Sequence, residues 1–253
     1  MSTSILRSIA NLSMLQSFFN ISHVDGVYWT LVYEITFYFA VFITLLVGLQ
    51  QHLVKIFQLW PFILGIALIL NIDYIPLLGG YYYYFAAGAI FAVLKQKYSL
   101  LTIISLSLSY FLCLQYSMEK AATFTQIKGT FFSELVIAII VSVFFLIFIL
   151  QNIKKIQEIE LPQSKLLGSL TYPVYLIHAH FGYMLINKFA NEQNKLVITA
   201  ITLIIVIIIS YIIHSLIERK YAHIWSLFFN RLLVRPINEI QIKIGKLPIL
   251  FRD

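Results

Sequence analysis

The chain reads as an all-α, polytopic transmembrane helical bundle of about seven spans, with its N-terminus outside and its C-terminus inside. Three observations predict it. First, 60% of the 253 residues are hydrophobic and only 11% are charged, with a mean hydropathy of +0.86. Soluble domains carry about 25% charged residues, so this composition cannot cover a water-facing surface. Second, seven apolar stretches approach the ~20 residues that a bilayer core requires of a helix. Third, the charged residues lie in the connections between those stretches, and the basic ones collect on alternate sides.

The spans follow in order. The first is Tyr28–Leu49, opened by an aromatic segment. Ile56–Leu70 is short and contains Pro61. Leu77–Leu94 begins irregularly, at Gly79, Gly80 and the tyrosines Tyr81 to Tyr84. Tyr98–Met118, Phe131–Leu150, Leu166–Phe189 and Leu196–Ile217 complete the set. Helices are expected throughout, because lipid offers no partner to a free backbone amide.

Basic residues set the orientation. Thirteen, from Lys55 and Lys95 through Lys154, Lys155 and Lys165 to the tail beyond Ile217, fall on one side. Five fall on the other: Arg7, Lys120, Lys128, Lys188 and Lys195. The richer side is cytoplasmic by the positive-inside rule. Trp29 then marks the outer edge, and Trp60 and Trp225 the inner one. Residues 1–27 read as an external segment and 28–217 as the membrane domain. Residues 218–253 form a basic tail whose Tyr221, Trp225, Phe228 and Phe229 suit a helix on the inner surface. The charge of +7 is thus loop charge, and nucleic acid is not expected as a partner; the lipid bilayer is. No cleavable signal peptide is read in Met1 to Ser22. Cys113 is a single cysteine in an apolar run, so no disulfide framework is expected.

Polar residues inside spans are the candidates for chemistry, since an ionised side chain there costs about 2.5–3.5 kcal/mol on insertion scales. Glu34 lies roughly 9 Å inside the first span. It faces either a polar cavity open to the outside or, as an acid near a helix N-terminus, the interface. His178 lies roughly 18 Å from the inner end of its span. Tyr172, Tyr175, His178 and Gly182 recur at spacings that place them on one helix face. His178 suits a general base or proton relay, or an interhelical hydrogen bond. His180 points elsewhere unless Pro173 distorts the helix. His214 and Glu218 are four apart and can pair, with a structural anchor as the simpler role. Glu134 suits the first turn of its helix. His23 and Asp25 lie in the external loop, where Asp25-Gly26 suits a turn. No metal-ligand spacing, phosphate-binding loop or dinucleotide fingerprint is present, so no tightly bound cofactor is expected.

Three segments together resemble the membrane-bound acyltransferase family 3, the family of bacterial surface-polysaccharide O-acetyltransferases. The first runs from Asn11 to Phe19, through Val24-Asp25-Gly26-Val27-Tyr28-Trp29-Thr30-Leu31-Val32-Tyr33-Glu34 to Phe37-Tyr38. It is similar to the family's outer loop and its Trp-Ser/Thr-Leu-x-x-Glu motif. The second, Leu167-Gly168-Ser169-Leu170-Thr171-Tyr172-Pro173-Val174-Tyr175-Leu176-Ile177-His178, is similar to the segment Ser/Thr-Tyr-Pro-x-Tyr-Leu-x-His. The third is Ile217-Glu218-Arg219, where Lys220 stands in place of the family's frequent proline.

The resemblance implies an integral O-acyltransferase of the cytoplasmic (inner) membrane, most simply an O-acetyltransferase. Its donor would be acetyl-CoA or another acyl-CoA, and its acceptor a hydroxyl on a cell-surface or exported glycan. It implies His178 and Glu34 as catalytic residues, and Trp29, Tyr172, Tyr175 and Asp25 as substrate-binding ones. The family pattern has ten spans. The first three, with a basic residue and a histidine expected to be essential, have no counterpart here. The chain therefore reads as the seven-span C-terminal part of such an enzyme. A non-catalytic remnant or accessory subunit is the alternative, with a transporter behind it.

Overall fold

The computed structural model describes residues 9–11, 16–19, 21–23, 26–159 and 161–243. Among these residues the regular structure is all helical, with no strand. Four helical stretches are long and apolar enough to cross a membrane: Tyr28–Leu46, Gln50–Ile69, Leu100–Lys128 and the continuous run Lys195–Glu239. Glu134–Leu150 is equally apolar but shorter. The chain forms two compact units, Thr36–Glu160 and Met1–Ile35 with Leu161–Asp253. One boundary falls inside the first long helix.

In the unit Thr36–Glu160, helix α1 (Tyr28–Leu46) contributes its second half, followed by α2 (Leu53–Ile69), α3 (Tyr82–Gln96), α4 (Leu100–Lys128), α5 (Glu134–Leu150) and the short α6 (Lys154–Gln157). Helix α3 packs on α2 and α4, and α4 packs on α2 and α5 as well. On α3, Tyr82, Tyr83, Ala86, Ala87, Ala89, Ile90, Phe91 and Val93 are buried. Small alanines let the neighbouring backbones approach, which is how helices associate where lipid removes the hydrophobic drive. On α4, Ser105, Ser109, Cys113 and Ser117 recur every four residues and are all buried. Each serine hydroxyl donates to a carbonyl one turn earlier. Such bonding satisfies a polar group in apolar surroundings without breaking the helix.

A buried polar knot ties α2 to α4. The Gln58 amide donates to Thr102 Oγ1 at 2.8 Å and to Ser99 Oγ at 3.3 Å. Ser105 Oγ lies 2.7 Å from both the Gln58 and the Leu101 backbone carbonyls, which compete for its single proton. Interhelical bonds of this kind are worth about 0.5–2 kcal/mol in a membrane. Thr102→Val should therefore lower stability by about 1 kcal/mol, read as a fall in the detergent melting midpoint. An unchanged midpoint would show that Ser99 alone suffices for Gln58.

Two helix limits in this unit differ clearly from expectation. Helix α3 starts at Tyr82, five residues after the expected Leu77. The preceding stretch turns through left-handed Asn71, Leu77 and Gly80. Helix α4 continues ten residues beyond the expected end at Met118. Glu119 and Lys120 end the apolar run there, yet both are good helix formers. The helix stops at Gly129, with φ +64°. Trp60 is not a free interfacial ring: its Nε1 donates to the Leu77 carbonyl at 2.9 Å. Its indole stacks on Phe37 at 5.6 Å.

In the other unit, the first half of α1 is joined by α7 (Ser164–His178), α8 (His180–Phe189) and α9 (Lys195–Ile213). Helix α9 packs on both α7 and α8. The expected single span Leu166–Phe189 is interrupted at Ala179, six residues after Pro173. A proline within a helix removes one backbone donor and crowds the preceding turn. Helix α9 does not end at Ile217. It passes through a π-helical segment, His214–Arg219, into α10 (Lys220–Phe229), a second π-helical segment (Asn230–Val234) and α11 (Arg235–Lys243).

Candidate active site

The unit that holds α7 and α9 also holds the start of α1, so the three quoted segments, apart from Phe37 and Tyr38, fall in one unit. The segment before α1 is braced by its own side chains. Asn11 Nδ2 donates to the Ser22 carbonyl at 3.2 Å, and Gln16 Nε2 lies 2.8 Å from His23 Nδ1. Gln16 is fully buried. Asp25 lies outside the described residues.

Trp29 and Thr30 open α1. The Trp29 indole meets the Tyr33 ring edge-on, with centroids 6.2 Å apart. Thr30 Oγ1 donates to the Val27 carbonyl at 2.8 Å. It also shares a hydrogen bond with the Tyr175 hydroxyl of α7, 145 residues away in sequence. With the Thr30 proton on Val27, the tyrosine hydroxyl is the donor in that contact. This bond joins the Trp-Thr-Leu-x-x-Glu segment to the Tyr-Pro-x-Tyr-Leu-x-His segment. A double-mutant cycle of Thr30→Val and Tyr175→Phe should return a coupling energy of about 0.5–1.5 kcal/mol. A coupling of zero would mean that the two hydroxyls do not bond in the membrane.

One turn before Tyr175 stands Tyr172, about half exposed. Glu34, Tyr28 and Glu218 all lie within electrostatic range of its hydroxyl. Glu34 is half-buried, and among the described residues it makes no hydrogen bond or ion pair. An unpaired acid in a span is costly, so its carboxylate suits a partner that arrives from outside the described chain.

His178 ends α7. Its Nδ1 lies 2.8 Å from the Tyr175 carbonyl and 3.2 Å from the Val174 carbonyl. Carbonyls only accept, so Nδ1 carries the proton and Nε2 keeps its lone pair. Nε2 has no partner among the described residues, and the side chain is exposed. The Tyr175 ring tilts over the imidazole, with centroids 5.7 Å apart. A histidine fixed at Nδ1 and open at Nε2 has the tautomer that a general base needs.

Helix α7 ends at His178, and beyond Ala179 Gly182 of α8 is buried towards Thr202 of α9. The expected pair forms: His214 Nδ1 lies 2.9 Å from Glu218 Oε2. Ser169 and the Thr30 hydroxyl do not stand out in sequence. Both lie inside the quoted motifs, but their partners are 45 and 145 residues away, and no local spacing signals that. Among the described residues, no cluster of three His, Cys, Asp or Glu side chains is arranged to hold a metal ion.

A sequence model of a family described as an acyltransferase domain matches residues 3–215. The chain belongs to acyltransferase family 3. The class of enzyme is therefore acyltransferase, and the apolar helices make it a membrane protein. No curated protein and no solved structure matches the chain. The match spans the first two motif segments of this acyltransferase and ends at Ser215, just before the third, Ile217-Glu218-Arg219.

Proposed function

We propose that this acyltransferase moves an acyl group, most simply acetyl, from an acyl-CoA in the cytoplasm to a hydroxyl of a cell-surface or exported glycan. In this reading the chain crosses the cytoplasmic membrane seven times, with its N-terminus outside and its C-terminus inside. The basic residues favour that orientation. Helices α3 and α5 supply two of the crossings at about 22 and 25 Å. The pair α7 and α8 supplies another, its 164–189 stretch running about 39 Å if extended along one axis. The helix beyond Glu218 lies along the inner surface, with Trp225 and Phe228 towards lipid.

The observation that carries the reading is the union of two family motifs at Thr30 and Tyr175, with His178 Nε2 left open beside them. His178 orients the acceptor hydroxyl or takes its proton. Glu34 holds the acceptor, whose sugar hydroxyls would offer the donors that its carboxylate lacks. Trp29 and Tyr172 supply apolar faces and a hydroxyl to a sugar ring, and Asp25 is a further substrate contact by its place in the motif. Membranes carrying the chain, given radiolabelled acetyl-CoA and a surface glycan, should acetylate the glycan above membranes lacking it. Background transfer only, from well-inserted protein, would favour a non-catalytic membrane subunit. Glycan uptake without acylation would favour a transporter.

A further inference from the structure

At the other end of α7 from His178, three side chains form a hydrogen-bonded line. Glu218 Oε2 lies 2.9 Å from His214 Nδ1, and His214 Nε2 lies 3.2 Å from Ser169 Oγ. The histidine side chain is 18% exposed and the glutamate 38%, and Ser169 is half-buried. The carboxylate accepts from Nδ1–H, which leaves Nε2 as the lone-pair nitrogen facing the serine hydroxyl. This is the order of roles in a serine nucleophile with its base and the acid that orients the base. The hydroxyl has a competing acceptor, the Leu166 carbonyl at 2.8 Å. Its single proton can go to either, and only the bond to Nε2 activates the oxygen.

Two further features separate this line from a plain anchor. His214 and Glu218 stand in a π-helical segment, His214–Arg219, and such segments interrupt α-helices chiefly at working sites. One turn earlier, Ser210 is fully buried with its hydroxyl unpartnered among the described residues. The polar face of α9 therefore continues inward from His214. Lys165 sits one turn before Ser169, and Arg219 and Lys220 follow Glu218. Cations at that end suit a phosphorylated donor.

We infer that Ser169, His214 and Glu218 form a donor-side acylation site, at which an acyl thioester of the coenzyme A class esterifies Ser169. The inference rests on the acyl-CoA donor proposed above. Ser169 Oγ attacks the thioester carbonyl while His214 Nε2 takes the hydroxyl proton. The C–S bond breaks, the thiolate takes that proton from His214, and the products are acyl-Ser169 and free thiol. Glu218 holds the imidazole and stabilises its charged form. Discharge reverses the steps when an acceptor hydroxyl reaches the Ser169 ester in the place of the thiol; the ~13 Å along α7 between His178 and Ser169 is the path the acceptor covers from its entry at His178.

Membranes carrying the full chain are incubated with radiolabelled acetyl-CoA and no glycan. Label should accumulate on the protein, map to the peptide containing Ser169 and be released by alkaline hydroxylamine. Ser169→Ala should lose it at least ~10-fold, and His214→Gln should slow labelling about 100-fold. Ser169→Cys should restore labelling as a thioester, released by hydroxylamine already at neutral pH. A structural role for Ser169 would not produce that change. Equal labelling of wild type and Ser169→Ala overturns the inference, as does glycan transfer by Ser169→Ala at the wild-type rate. In that second case the proposed function stands. Label on Ser169 without glycan transfer upholds the site and removes the glycan acceptor. Neither label nor transfer in the wild type removes both.

Discussion

Replacing His178 by alanine should lower glycan acylation by about 100- to 10,000-fold, the range that general-base catalysis contributes. Its side chain is exposed and hydrogen-bonds only to carbonyls of its own helix, those of Val174 and Tyr175. The substitution therefore removes no contact between helices, and the melting midpoint should stay within about 1–2 °C. Glu34→Gln keeps the shape and removes the charge. It should raise the acceptor KM more than it lowers kcat, because an acceptor-holding group contributes before the transfer as well as during it. Steady-state kinetics on washed membranes separate the two variants. Full activity in both would remove these roles from His178 and Glu34, whatever the standing of Ser169.

Gly79→Ala should be the most damaging single-methyl substitution in the unit Thr36–Glu160. A Cβ at this position would lie 2.4 Å from the Asp73 carbonyl oxygen and 2.9 Å from its carbonyl carbon. Those are backbone atoms, so no rotamer change relieves the clash. Overpacking costs typically reach about 3 kcal/mol, and here the turn that carries the Leu77 carbonyl to Trp60 must move as well. The melting midpoint should fall on the order of 5–10 °C. Gly88→Ala is the comparison, since nothing lies within 4 Å of a Cβ there. In the interior of α3 it should be neutral or stabilising by up to ~1 kcal/mol. A Gly79→Ala midpoint equal to that of Gly88→Ala would contradict the tight turn at Asp73.

The helices were legible where apolar length alone decides. The first span begins at Tyr28 both as read and as folded, and Leu150 ends α5 as expected. Limits set by something other than hydropathy were not legible. Lys128 ends α4 because Gly129 adopts a left-handed conformation there, and the polar residues before it are good helix formers. Tyr82 begins α3 because the preceding turn closes on Asp73. Pro173 announced a distortion, yet the interruption falls at Ala179, beyond His178. Trp60 had the composition of a membrane-belt residue and proved to be packed against Phe37.

The candidate site divides in the same way. Glu34, Tyr172, Tyr175 and His178 stand out in sequence because polar groups are costly within apolar runs. The pair His214 and Glu218 follows from helical spacing alone. Ser169 did not stand out, since a hydroxyl near a helix start usually bonds to its own backbone, as this one also does to Leu166. Its second partner lies 45 residues away.

Hydropathy and short motifs, as properties of neighbouring residues, were enough for the all-helical membrane class and the family. That Tyr175 meets Thr30, and that Ser169 completes the line through His214 to Glu218, emerged from the folded chain alone. The physical reason is that a hydrogen bond reaches about 3 Å, while nothing in local spacing says which distant turn of helix will come that near.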